Sequence, residues 1–149
     1  VNVNLLFVCR GNTCRSVLAH YIAEVLVRSH PVKQKPLIRS AGVEAWPGMT
    51  ASSHTLQVLA KDYDYDASSH RASKLTPEHI KWADVIYTMT TARRDQITTQ
   101  FPQAVTKLKL LSAKIPIEDP IGGDETVYRE LAKDIEQALK VRYLELGIF

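Results

Sequence analysis

Cysteine is scarce in this 149-residue chain: there are two, Cys9 and Cys14, five positions apart in one short stretch. A pair that close cannot staple a large fold, so a hydrophobic core must hold it together. Metal-ligand spacings are missing as well. The five histidines, at 20, 30, 54, 70 and 79, form no HExxH pattern and have no paired cysteines beside them, so neither metal nor cofactor is expected. Long apolar runs are lacking too. The first helical pattern is interrupted by His20, Glu24 and Arg28, and no membrane span is expected. The apolar N-terminal stretch is too short for a secretory signal and runs into a strand–loop–helix unit, which argues for a reducing, cytoplasmic setting. Charge of one sign is nearly balanced at a net +3. The basic residues (Lys33 and Lys35, Arg71 and Lys74, Arg93 and Arg94, Lys107 and Lys109) are scattered without aromatic interleaving, so no nucleic-acid partner is expected.

What remains is the composition of a soluble globular protein, 45% hydrophobic and 23% charged, long enough for one domain spanning 1–149. Strand and helix patterns alternate along it. Strands are expected over Asn2–Val8, Leu37–Ser40, Asp84–Met89 and Lys107–Leu111. Helices are expected over Ser16–Ser29, Thr50–Lys61, Thr91–Gln100 and Asp124–Leu146, with a further helix starting at Thr76-Pro77. In the last helix, Val127, Leu131, Ile135, Ala138, Leu139 and Leu146 share the expected apolar face. This alternation predicts an α/β fold with a parallel sheet covered on both faces. In such sheets ligands bind beyond the carboxyl ends of the strands.

The stretch Cys9-Arg10-Gly11-Asn12-Thr13-Cys14-Arg15-Ser16 lies at such a strand end and leads into a helix. Backbone amides converging at a helix N-terminus suit a phosphate dianion. Gly11 is expected to allow the tight curl, and Asn12 tolerates left-handed backbone. Arg15 offers a planar fork for two phosphate oxygens. The same donors favour Cys9 as a thiolate nucleophile, with Ser16 donating a hydrogen bond to it. A lone cysteine is ordinarily a small buried hydrophobe; the company of Gly11, Asn12, Arg15 and Ser16 argues against that here. No GK[ST] follows the glycine, which excludes a Walker nucleotide loop.

VCRGNTCRS, followed by Arg39–Gly42 (RSAG), by His70-Arg71-Ala72-Ser73 and by Asp119-Pro120, resembles the low-molecular-weight protein tyrosine phosphatases along the whole chain. The resemblance implies a four-stranded parallel sheet and two-step hydrolysis of a phosphorylated protein, with Cys9 attacking phosphorus to form a phosphocysteine. Arg15 and the loop from Arg10 to Ser16 would hold the phosphoryl oxygens. Asp119 would be the general acid, then the base on water. Ser40 and His70 would join Asn12 and Ser16 in a network bracing the loop; for His70 the alternative is a surface histidine. Asp124 reads as the cap of the last helix. Cys14 is open to a reversible disulfide with Cys9 or to an inert packed role.

Two positions depart from the tyrosine-specific pattern. Thr13 stands where Ile or Leu is common, and Ile121-Gly122-Gly123 follows Pro120 where tyrosines are common. Both resemble the protein arginine phosphatase branch, and a threonine hydroxyl can meet a polar guanidinium where an aliphatic cannot. Thr13, Trp46 and Ile121 are the expected substrate pocket; Trp46 could otherwise be a core residue. The expected substrate is therefore protein phosphoarginine, with phosphotyrosine as the alternative. Val17 and His20 also depart from the family, which usually has proline and often has an acid there. An arsenate reductase would need relay cysteines after Cys14, and none follows. A non-catalytic phosphoprotein-binding module would not need both Cys9 and Asp119.

Overall fold

The first strand, β1 (Val3–Cys9), alternates its side chains between two separate cores in the computed structural model, which describes residues 2–149. Leu5, Phe7 and Cys9 point to one face of the sheet, and Leu6 and Val8 to the other; all five are buried. A strand buried on both faces reads as a continuous apolar run, as this one does.

From β1 the chain enters α1 (Arg15–Ser29) and returns as β2 (Pro36–Gly42), parallel to β1. Pro36 opens this edge strand, where a missing N–H is tolerated. Next come α2 (Ser53–Tyr63) and α3 (Pro77–Trp82), then β3 (Val85–Thr88) on the other side of β1. α4 (Thr91–Gln100) and a 3₁₀ turn at Pro102–Ala104 precede β4 (Leu108–Leu110), and α5 (Glu125–Glu145) follows. The sheet is four-stranded and parallel, in the order β2-β1-β3-β4.

One face packs against α1, α2 and α5 through Val17, Leu18, Ile22, Val58, Leu59, Ile135, Leu139 and Tyr143. The other packs against α3 and α4 through Leu75, Ile80, Ile86 and Ile97. No helix among the described residues is long and apolar enough to cross a membrane.

Every expected element is present, with ends moved by a few residues. The largest shift is at α2, where Ser52 caps the helix by accepting from the Thr55 amide at 3.3 Å, so the helix starts at Ser53 and not at Thr50. Thr76 caps α3 with Pro77 in its first turn, and Asp124 caps α5, as read from the sequence. The apolar face of α5 needs a correction. Val127 is 43% exposed, and the buried stripe runs through Tyr128, Leu131, Ala132, Ile135, Ala138, Leu139 and Tyr143. At the helix start the larger Tyr128 turns inward and takes the place expected for Val127.

The strand order fixes where a site can form. From β1 the chain goes to β2 on one side, then crosses to β3 on the other. The carboxyl end of β1 is therefore a topological switch point, with a crevice beside it. Cys9 is its last residue.

Candidate active site

The segment Arg10–Cys14 joins β1 to α1 as a tight loop whose left-handed residue is Asn12, at φ 54°. Gly11 does not carry the curl: its φ is not in the left-handed region, and an added Cβ would meet only Thr13 Oγ1 at 3.6 Å. The glycine the loop depends on is Gly42 of β2. A Cβ there would lie 2.6 Å from the Arg10 carbonyl oxygen and 2.8 Å from the Asn12 amide nitrogen. The loop thus closes against a strand that can have no side chain at that point.

Asn12 is fully buried and makes three bonds. Its Oδ1 accepts from the Ser73 amide at 2.9 Å, which orients the side-chain amide. Its Nδ2 donates to Ser16 Oγ at 2.8 Å, and Ser16 Oγ lies 2.9 Å from Cys9 Sγ. Because Ser16 Oγ accepts from Asn12, its own proton is left for the sulfur. The backbone carbonyl of Asn12 accepts from His70 Nε2 at 2.9 Å. His70 Nδ1 then accepts from the Tyr21 hydroxyl at 2.9 Å, so the imidazole is neutral with its proton on Nε2. Burial holds His70 below its ordinary range against the pull of the Asn12 carbonyl.

Ser40 is placed differently from the expectation. Its Oγ contacts His20 Nδ1 at 2.8 Å and none of Asn12, Ser16 or His70. The imidazole at position 20 takes up that hydroxyl. Its ring stacks on Tyr21, with centroids 4.2 Å apart, so Ser40 reaches the loop only through His20, Tyr21 and His70. Burial, and secondarily His70, depresses His20 to about 3. Glu24 lies 4.0 Å from His20 Nε2, yet its own carboxyl is raised by burial, and it does not keep the imidazole charged.

Above the loop opens a cleft of about 430 Å³. Its floor is Cys9, Gly11, Thr13, Cys14 and Arg15, and its rim is Arg10, Glu44, Trp46, Asp119 and Ile121. Arg15 is 7% exposed; it donates to the Ile117 carbonyl at 3.2 Å, and its other terminal nitrogen is 3.8 Å from Asp119 Oδ2. The Ile117 bond anchors the segment that delivers Asp119. Asp119 Oδ1 accepts from the Ile121 amide at 3.1 Å, and the turn continues through Gly122 at φ 84°. A Cβ on Gly123 would be 2.9 Å from both the Pro120 carbonyl oxygen and Val127, so the glycine pair lets this turn close onto α5. Trp46, 74% exposed, is a wall and not a core residue; Ile121, 77% exposed, stands on the same rim.

The first-turn amides of α1 carry no side-chain cap, the arrangement that suits an anion. Cys14 is a free thiol pushed up to about 12 by burial, which keeps it protonated at neutral pH. Glu44, Tyr21 and Ser73 were not singled out from the sequence. Glu44 sits two residues past Gly42 in the RSAG run and Ser73 ends the His70–Ser73 motif, so both lie beside marked residues, whereas nothing in the chain pattern marks Tyr21.

Residues 4–146 match the family described as low molecular weight phosphotyrosine protein phosphatase. The chain belongs to this family. It is 40% identical over 139 residues to a protein-arginine-phosphatase of Geobacillus stearothermophilus, covering 89% of this chain and 88% of that protein. It is 34% identical over 131 residues to the low molecular weight protein-tyrosine-phosphatase PtpB of Staphylococcus epidermidis, covering 86% of this chain and 88% of that protein. Among solved structures it superposes on a YwlE arginine phosphatase mutant with a phosphorylated active-site serine, with a TM-score of 0.88 and 28% identity, over 97% of this chain and 95% of that one. The expected family and the four-stranded parallel fold are both borne out.

Proposed function

We propose that this member of the phosphatase family hydrolyses phosphoarginine in proteins through a phosphocysteine on Cys9. The observation that carries the chemistry is one cleft in which a buried thiol, hydrogen-bonded by Ser16, lies beside Arg15 and below a carboxylate on a separate loop. In the first step the Cys9 thiolate attacks phosphorus in line, the S–P bond forms, and the P–N bond to the guanidine breaks. Asp119 gives its proton to the departing nitrogen. In the second step Asp119 takes a proton from water, the water oxygen attacks phosphorus, and the S–P bond breaks to return the thiolate and free phosphate. Arg15 and the loop amides carry the charge on the equatorial oxygens through both steps. Arg10, Gly11, Asn12, Thr13, Cys14 and Ser16 complete the oxyanion cradle, and His70, with Ser40 behind it, braces it. The YwlE relative with a phosphorylated active-site serine supports the covalent step by analogy of position.

Thr13 supports the choice of phosphoarginine. It puts a hydroxyl on the cleft floor where a guanidinium can use one and an aromatic ring cannot. A reducing, cytoplasmic setting follows from the chemistry, since a thiolate nucleophile with a second thiol in the same loop works only while both stay reduced. A second reading, phosphotyrosine, has an observation of its own: the exposed Trp46 would suit an aromatic ring. The deciding experiment compares kcat/KM on peptides of one sequence carrying either phosphoarginine or phosphotyrosine. Preference for the first is expected; the reverse preference overturns the phosphoarginine assignment and leaves the phosphatase chemistry intact.

A further inference from the structure

The rim of the cleft holds a carboxylate that the reaction does not use. Glu44 follows β2, and its backbone is locked to the loop: its amide donates to the Arg10 carbonyl at 2.9 Å, and the amide of Val43 donates to the Cys9 carbonyl at 3.1 Å. Its side chain lines the same cleft as Cys9, Arg15 and Asp119. Arg10 engages it through Nε to Oε2 at 2.7 Å, leaving Oε1 without a hydrogen bond among the described residues.

Two carboxylates therefore face one cleft from different elements, in different surroundings. The hydrogen bond and charge of Arg10, with Arg93 acting in the same direction, hold the Glu44 carboxyl below the usual carboxylate range. Glu44 is thus ionised at neutral pH and unsuited to donating a proton. An anionic rim would repel an incoming phosphate dianion, but Arg10 cancels that charge while leaving an acceptor oxygen available.

We propose that Glu44 is a specificity-determining residue whose Oε1 accepts an N–H of the substrate guanidinium while the phosphoryl group lies in the loop. The inference rests on the phosphoarginine assignment above. A phosphorylated guanidinium keeps N–H donors on its two other nitrogens, in the planar geometry that carboxylates match. The ring of phosphotyrosine has no such donor, so binding it would desolvate the Glu44 carboxylate with nothing in return. Glu44 would then act with Thr13: one reads the guanidinium at the rim, the other from the floor.

The test measures the ratio of kcat/KM on phosphoarginine to that on phosphotyrosine, in matched peptides, for wild type, Glu44→Gln and Arg10→Met. Glu44→Gln keeps the shape and removes the charge. It is expected to lower the ratio about tenfold, chiefly through KM on phosphoarginine. Arg10→Met breaks the ion pair but keeps the carboxylate, and is expected to leave the ratio within about twofold or raise it. If Glu44→Gln leaves the ratio unchanged, or Arg10→Met lowers it equally, the pair is only a clasp on the loop and the proposal is overturned. The wild-type measurement separates the two claims: a wild type inactive on phosphoarginine overturns the substrate assignment before any variant is compared.

Discussion

Just beneath the floor of the cleft Asn12 and Ser16 are fully buried, and each of their side-chain polar atoms has a partner; at the rim Trp46 and Ile121 stand mostly in solvent. A buried bonded network tolerates few substitutions, because removing one member strands its partners at roughly 1–3 kcal/mol each. An exposed rim side chain can be exchanged at little cost to the fold. Reaction type is therefore set where the structure is rigid, and substrate choice where it is permissive. Thr13 lies between the two: its carbonyl accepts from the Ser52 amide at 2.9 Å within the framework, while its side chain helps line the cleft.

The largest expected effect comes from breaking the floor. Cys9→Ser should lower kcat by at least about 10⁴-fold while phosphate analogues still bind, because a serine oxygen in that place is a poor nucleophile but leaves the cradle unchanged. Single-turnover assays with isothermal titration of vanadate or phosphate check both parts; ordinary turnover by this variant would refute the covalent route. Next is Asp119, which belongs to the floor by chemistry and to the rim by position, at 35% side-chain exposure. Asp119→Ala should slow poor leaving groups by about 10²–10³-fold and activated aryl phosphates far less. Equal losses on both would remove Asp119 from proton transfer.

A smaller change should move selectivity and leave the chemistry in place. Thr13→Ile replaces a hydroxyl by an aliphatic group of similar backbone preference. The ratio of phosphoarginine to phosphotyrosine turnover should fall about tenfold, with the aryl-phosphate rate nearly kept. A ratio that does not move would show that substrate choice lies wholly at the rim.

The floor was legible in the chain for the same reason that it is rigid. Cys9, Asn12, Arg15 and Ser16 are neighbours in sequence, and their spacing alone places them where a strand end turns into the start of a helix. The parallel sheet followed from the alternating patterns and its four strands from the family resemblance, whereas the order β2-β1-β3-β4 is set by crossovers that local patterning does not record. The brace was legible only in part. His70 stands where it was expected, but its second partner is Tyr21, and Ser40 turned to His20. Such partners meet across elements far apart in sequence, and periodicity says nothing about which hydroxyl an imidazole will find. Gly42 carries the close approach that Gly11 was expected to carry, for the same reason: the loop's tight contact is with another strand and not within itself.

The smallest expected effect concerns the outermost link of the brace, and it is read in stability, not rate. His20 is neutral in the fold and held down to about 3, against an ordinary 6.5. Below pH 6.5 the unfolded chain therefore takes up a proton that the folded one refuses. Stability from this group is fully present above that value and falls as pH drops toward 3, by about 1.4 kcal/mol per pH unit. One unit below the ordinary value, that is a Tm loss of about 3–6 °C for a chain of this size. His20→Gln, which keeps a hydrogen-bonding group near Ser40, should remove about one proton from the slope of unfolding free energy between pH 6.5 and 5. His70, also depressed by burial, keeps part of the acid dependence, so the slope flattens without vanishing. Thermal melts of both proteins across that range decide the matter. An unchanged slope in His20→Gln would mean that the imidazole titrates normally in the fold, and that Ser40 is not held through a neutral His20.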